Sequence, residues 1–170
     1  VADEFYQVST TDKDAVLKLA KTLNLDGVVC YASDPAAPTA AYVCEKLGFP
    51  TNPYESVMVL SNKDTFREYL REHGFCVPYA ESYTDIDTMK ANASKFKFPV
   101  MVKPVDSSGS KGINKIYSAD EYDFAFGDAM KYSRCKRLVV EEFIEKKGFQ
   151  VSGDGFTVDG KLVFRCFGNE

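Results

Sequence analysis

Apolar positions recur at helical spacing near the start of the chain. Ala15, Val16, Leu19, Ala20 and Leu23 follow the capping cluster Ser9-Thr10-Thr11-Asp12, which predicts an amphipathic helix running to Asn24. Ahead of it, Glu4 to Val8 reads as the end of a strand. After the Asp26-Gly27 turn, Val28-Val29-Cys30-Tyr31 is a short continuous apolar run, the pattern of a strand buried in a parallel sheet. Ala32 to Pro35 reads as a loop, and a small-residue helix is predicted over Ala36 to Leu47, closed by Gly48. The succession of strand and helix implies a doubly wound segment. Ligands of such sheets sit beyond the carboxyl ends of the strands, so Ser33 and Asp34 have two readings, a helix cap before Pro35 or a substrate contact.

The turn-rich stretch Phe49-Pro50-Thr51-Asn52-Pro53 breaks this pattern. Helical spacing resumes with Val57 and Leu60, and again over Asn62 to His73 with Phe66, Tyr69 and Leu70, which places a domain boundary near Ser61 and divides the chain into 1–61 and 62–170. In the second part Val77 to Tyr83 is strand-like, and Asp85 to Phe96 is helical with Ile86, Met89, Ala93 and Phe96 inward. Pro99 to Lys103 is a strand, Gly112 to Tyr117 returns as another, Ala119 to Tyr132 is a helix, and Arg137 to Phe143 is a strand. Phe149 to Thr157 and Lys161 to Phe167 are expected to pair with that last strand, joined by Asp159-Gly160, a dipeptide suited to a type I′ hairpin turn. The fold class is therefore α/β followed by α+β with antiparallel strands.

Composition narrows the function classes. An apolar content of 45% over 170 residues is enough for a real core, and 27% charged residues suit a globular surface. The net charge of −4 argues against a general binder of nucleic acid or of anionic membranes, so any anion site must be local. The five cysteines, Cys30, Cys44, Cys76, Cys135 and Cys166, are never spaced as CxxC and suggest neither a zinc site nor a disulfide framework; buried thiols in a reducing cytoplasm are the expectation. The single histidine, His73, precedes Gly74 at a helix end and reads as a C-terminal cap, so no Ser/His/Asp or Cys/His catalytic set can be assembled.

Two stretches carry chemistry. The apolar strand Val100-Met101-Val102 ends in Lys103 and opens into Asp106-Ser107-Ser108-Gly109-Ser110-Lys111-Gly112. Such a loop offers backbone N–H groups and hydroxyls to phosphate oxygens, Gly109 and Gly112 permit positive φ, and Lys103 and Lys111 supply counter-charge. It is neither a Walker A loop nor a GxGxxG fingerprint, and taken alone it also reads as a polar hairpin tip. A lysine closing a buried strand needs an anionic partner, which a nucleotide phosphate would provide. The second stretch, Val139-Val140-Glu141-Glu142-Phe143-Ile144-Glu145, suits an adenine, with backbone pairing to the base edge and apolar side chains around its ring; alone, an acidic strand end is more often solvated.

The ordered set of Lys63 after Ser61-Asn62, the strand ending at Lys103, the Ser/Gly/Lys loop and Val-Glu-Glu-Phe-Ile resembles the ATP-grasp superfamily, within it carbamoyl-phosphate-synthase-like proteins of the carboxylate-amine ligase group. Residues 26–62 resemble the pre-ATP-grasp domain of those proteins. The resemblance implies that Lys63 reaches the nucleotide phosphates from a helix start, that Lys103 lies between base and α-phosphate, and that Ser107, Ser108, Gly109, Ser110, Lys111 and Gly112 form the phosphate flap. It implies that Glu141, Glu142, Phe143 and Ile144 hold the adenine, Glu142 and Ile144 mostly through backbone. Many members carry Gly-x-Glu after this hinge for the ribose; Lys146-Lys147-Gly148 stands here, and Gln150 is the candidate substitute. The implied activity is phosphorylation of a small carboxylate by ATP to an acylphosphate, then attack by an amine or similar nucleophile, without a covalent catalytic residue. Mg²⁺ ligands are expected on strands beyond the equivalent of Phe167, and a first strand-helix unit before Val1, so an internal piece of a longer cytoplasmic enzyme is expected, inactive by itself. A homo-oligomer stays open. Two other readings are a nucleotide-binding regulatory module without turnover and a dinucleotide-dependent oxidoreductase; against the second stands the missing glycine fingerprint, Gly153-Asp154-Gly155 sitting among strand residues as a bulge or turn.

Overall fold

The computed structural model describes residues 2–169; Val1 and Glu170, where the two expected domains begin and end, lie outside the described residues. α1 (Lys13–Ala20) starts where the Asp12 carboxylate accepts from the Ala15 amide at 3.0 Å, as the capping cluster predicts. It ends before Asn24. The amides of Thr22 and Leu23 turn to carbonyls three residues back, and Asn24 has φ 33°, a conformation that stops a right-handed helix.

The run Val28 to Tyr31 is not a strand, nor is Glu4 to Val8. Val28 and Cys30 are half-buried, with the Val28 carbonyl accepting from the Cys44 thiol at 3.4 Å, while Val29 and Tyr31 are 89% and 92% exposed. A strand exists only as a paired element, and among the described residues no second strand lies beside this one, so its apolar composition has no ladder to join. In place of the expected parallel sheet, residues 2–61 form a layer of helices. A 3-10 turn at Asp34–Ala36 leads into α2 (Ala37–Leu47), which packs between α1 and α3 (Tyr54–Ser61). Gly48, at φ 74°, closes α2 as predicted.

A single extended residue, the buried Asn62, separates α3 from α4 (Lys63–Glu72). Its side-chain amide donates to the Met58 carbonyl at 2.8 Å, which ends one helix and aims the next. The Lys63 amide then donates to the Val105 carbonyl at 3.0 Å, fastening the start of α4 to the end of the central strand.

That strand, β2 (Val100–Pro104), belongs to a four-stranded antiparallel sheet with β1 (Ala80–Tyr83), β3 (Asn114–Ile116) and β4 (Leu138–Glu142), in the order β1-β4-β2-β3. Period-two alternation sends Val100, Val102, Ile116, Leu138 and Val140 to one face, where α5 (Ile86–Ala91) and α6 (Tyr122–Tyr132) bury them with Met89, Tyr122 and Ala125. Each fully buried aliphatic or aromatic side chain there stabilises the fold by about 1.5–3 kcal/mol. The other face carries a smaller cluster, Ala80, Val105 and Val139, near α4.

β5 (Val151–Val158) and β6 (Lys161–Asn169) form a separate two-stranded sheet. Both turn residues, Asp159 at φ 49° and Gly160 at φ 73°, are left-handed, as the type I′ reading requires. The expected pairing of this hairpin with β4 does not occur, because β1 and β2 already occupy both edges of β4. Gly153-Asp154-Gly155 is neither bulge nor turn. Pairing is regular there, Gly153 opposite the Phe167 ring, and the register shift falls at Phe156/Thr157.

Candidate functional site

With Val100, Val102 and Pro104 turned to the core, Met101 and Lys103 project from the opposite face of β2. The antiparallel register sets Met101 beside Glu141 and Lys103 beside Val139, so Lys103 and Glu141 meet on one diagonal. The Lys103 ammonium donates to one Glu141 oxygen, and from α4 the Arg67 Nε donates to the other at 3.0 Å. The Glu141 side chain is only 5% exposed. The acidic strand end is therefore not solvated at Glu141: β2 and α4 cover it from both sides.

Lys63, the first residue of α4, stands beside this pair. Its ammonium donates to the Ser107 carbonyl at 2.6 Å, so helix start and loop are joined through both its backbone and its side chain. Burial disfavours the charged form and the nearby Lys103 disfavours it further, so the ammonium holds its proton less tightly than an ordinary lysine. Asp106 is the other acid nearby, but its carboxylate accepts from the Ser133 hydroxyl at 3.1 Å and the Cys135 amide at 3.0 Å, with the Arg134 Nε at 3.8 Å. Arg67 and Lys103 thus share the Glu141 carboxylate, while Lys63 beside them is bonded to a neutral carbonyl, and an incoming anion would stabilise this group of three partly buried cations.

The loop is held at its ends and open at its tip. The Ser107 hydroxyl donates to the Lys111 carbonyl at 3.1 Å, Gly109, Ser110 and Gly112 all have positive φ, and Gly109, Ser110 and Lys111 are exposed. Gly112 is buried where a Cβ would lie 2.8 Å from the Tyr132 ring and 3.2 Å from the Ala129 backbone, so only glycine lets the chain pass this close to α6.

At the end of β4, the amides of Glu142 and Phe143 donate to the carbonyls of Tyr79 and Pro99 at 2.9 and 3.2 Å, and Phe143 and Ile144 emerge into solvent. The Lys115 ammonium sits 3.5 Å from the centroid of the Phe143 ring. Gln150 lies on the exposed segment entering β5, and among the described residues it makes no side-chain hydrogen bond. His73 closes α4 at the end opposite Lys63, stacked on Tyr69 with Nδ1 2.8 Å from the Tyr69 carbonyl oxygen.

A cavity of about 690 Å³ opens between the helical layer and the loop, with Lys63, Ser107 and Gly109 on one side and Lys13 and Asp34 on the other. Asp34 reaches this space; Ser33 occupies a cap position without a side-chain capping bond. Cys44 is buried and Cys30 half-buried, but Cys76, Cys135 and Cys166 are exposed, against the expectation of buried thiols. Among the described residues no group of three or more His, Cys, Asp or Glu side chains is placed to hold a metal ion, and no helix is long and apolar enough to cross a membrane.

Sequence reasoning missed Arg67, Lys115 and the Asp106–Ser133–Cys135 bracket. Arg67 was within reach of it, since it falls four residues after Lys63 on the same helix face. Lys115 follows from alternation once Ile116 points inward. The bracket joins residues far apart in the chain and leaves no local signature.

The family described as "D-ala D-ala ligase C-terminus" matches residues 75–159. A formate-dependent phosphoribosylglycinamide formyltransferase of Parasynechococcus marenigrum is 32% identical over 85% of this chain and 38% of its own length. In fold, the chain is similar to L-amino acid ligase from Bacillus licheniformis, with a TM-score of 0.69 at 22% identity over 89% of this chain and 35% of that one. It is similar also to the biotin carboxylase domain of Hydrogenobacter thermophilus 2-oxoglutarate carboxylase, solved with MgADP, ADP and bicarbonate, with a TM-score of 0.63 at 21% identity over 85% and 35%. The chain spans between 34% and 38% of the length of the first curated relatives it matches.

Proposed function

Because this chain belongs to the D-ala D-ala ligase C-terminus family of the ATP-grasp superfamily, we propose that it is the ATP-binding portion of a ligase that activates a small carboxylate as an acylphosphate. The observation that carries this reading is that Lys63 bonds the Ser107 carbonyl of the Ser107 to Gly112 loop with the Lys103 ammonium close enough to disfavour its charge, so two partly buried lysines stand together where the loop begins.

The triphosphate lies against Lys63, Lys103 and the loop, whose glycines keep the backbone approachable. The adenine lies at the Glu141 to Ile144 hinge. Since the amides of Glu142 and Phe143 are already engaged by the sheet, the base edge meets the backbone from Ile144 onward, with Lys115 and Phe143 beside it. Gln150 serves the ribose, and Lys111 and Ser110 close over the phosphates. In the reaction a carboxylate oxygen attacks the γ-phosphorus and ADP leaves; the amine then attacks the acyl carbon and phosphate leaves. The residues of this chain position the reactants and neutralise charge at the transferring group, which is the main protein contribution to phosphoryl transfer. Mg²⁺, which the family implies, finds no fitting cluster among the described residues.

The cavity beside the loop has room for the small carboxylate, with Asp34 and Lys13 facing it. A formate-dependent enzyme and an L-amino acid ligase among the relatives favour such a substrate, formate and amino acids both being carboxylates. The division near Ser61 then separates a helical layer facing that substrate from the nucleotide-binding part.

Calorimetric titration of the 170-residue chain with ATP, ADP and NADH, with and without Mg²⁺, tests the reading. ATP or ADP is expected to bind and NADH not. Lys103→Ala is expected to abolish binding, Lys63→Met to weaken it about 10- to 100-fold, as loss of a charged hydrogen bond does, and His73→Ala to leave it unchanged. Binding that survives both lysine changes in folded protein sinks the assignment.

A further inference from the structure

The Arg67 guanidinium does not reach the loop, yet it takes one of the two oxygens of the buried Glu141 at 3.0 Å while Lys103 takes the other. Elsewhere in this structure a carboxylate facing a single ammonium meets it with both oxygens, Asp123 on Lys90 at 2.7 Å and Glu81 on Lys95 at 3.0 and 3.2 Å. Here a second cation prevents that closure. Resting on the ATP-binding reading above, we infer that Arg67 is a positioning residue that, by holding one oxygen of Glu141, limits this carboxylate to one contact with Lys103 and leaves the ammonium free to serve a nucleotide phosphate.

The geometry supports this in three ways. Arg67 and Lys63 fall one helical turn apart on α4, so the helix that delivers one phosphate-side lysine also delivers the group that governs the other. Glu141 is 5% exposed, so water does not compete for its second oxygen. An ammonium carries three hydrogens, and only one is needed for a single carboxylate contact.

ATP titration of Arg67→Met, Arg67→Lys, Glu141→Gln and the double variant Arg67→Met/Glu141→Gln tests the role. Arg67→Met is expected to weaken ATP binding about tenfold, the loss of roughly one charged hydrogen bond to phosphate. Arg67→Lys, which keeps the charge, should recover most of that loss. The double variant should also bind more tightly than Arg67→Met alone, because a neutral amide no longer competes with the phosphate for Lys103. A merely structural ion pair predicts the same gain from Glu141→Gln with Arg67 present as with it replaced, whereas the positioning role predicts a larger gain in Arg67→Met. If Arg67→Met does not fold in a thermal melt, the neutral but polar Arg67→Gln with and without Glu141→Gln makes the same comparison. Wild-type affinity in folded Arg67→Met, or no recovery in the double variant, overturns the inference and leaves the function standing. Failure of the wild-type chain to bind ATP removes the function reading and this role with it.

Discussion

β4 and β6 are both apolar strands with an antiparallel neighbour, and they end in opposite environments. Leu138, Val139 and Val140 are fully buried, whereas every residue of β6 from Lys161 to Asn169 is exposed, Phe164 and Phe167 included. β4 has a strand on each edge, α6 against one face and α4 toward the other. β6 has only β5. Strand formation is a local matter of β-branched and aromatic residues with a good turn between them, while the free energy of a strand comes from what covers it. The candidate site follows the same division, since Lys103 and Glu141 lie where the sheet is covered and are largely shielded from water.

The widest test of this contrast is Leu138→Ala against Leu162→Ala. The first leaves a cavity between β4 and α6 and is expected to cost about 3 kcal/mol, the second less than about 0.5 kcal/mol, read as shifts in urea midpoint. Equal effects would mean that the hairpin is covered in solution. Next in size, Gly112→Ala combines a left-handed backbone with contacts to Tyr132, Pro104 and Ala129, and is expected to cost about 2 kcal/mol. Because this glycine anchors the loop, ATP affinity should fall with it.

The smallest effect belongs to the rim of the sheet. Burial by itself would raise the Glu81 carboxyl, but hydrogen bonds from Tyr79 and Tyr83 and the Lys95 ammonium outweigh it and hold it at about 2, below the ordinary 4.5. A depressed carboxyl adds stability above its ordinary value and loses it as pH falls toward the folded one. Glu81→Gln should therefore destabilise by about 1 kcal/mol at pH 7, a figure discounted because the side chain is 27% exposed, and the gap to wild type should close between pH 4.5 and pH 2 in thermal melts.

Much of the second half was legible in the residues. The Lys103 strand, the loop glycines with positive φ, the Asp159-Gly160 turn and the helix ending at His73 all express preferences confined to a few neighbouring residues. Val28 to Tyr31 was misread because an apolar run reports a wish for burial and not the presence of a pairing strand. β5 and β6 were assigned to β4 for a related reason: nothing local says that both edges of β4 are taken.

Local chemistry, then, determined by itself the identity of most elements, the breaks at Gly48 and Gly112, and the residue types able to meet a phosphate. Only the tertiary structure decided that Glu141 stands between Lys103 and Arg67, that Lys63 grips the loop through Ser107, and that Asp34 shares a cavity with that loop. Backbone conformation is chosen within a few residues, whereas a charge acquires its partner and its desolvation from groups that can lie seventy or more positions away, as Arg67 and Glu141 do.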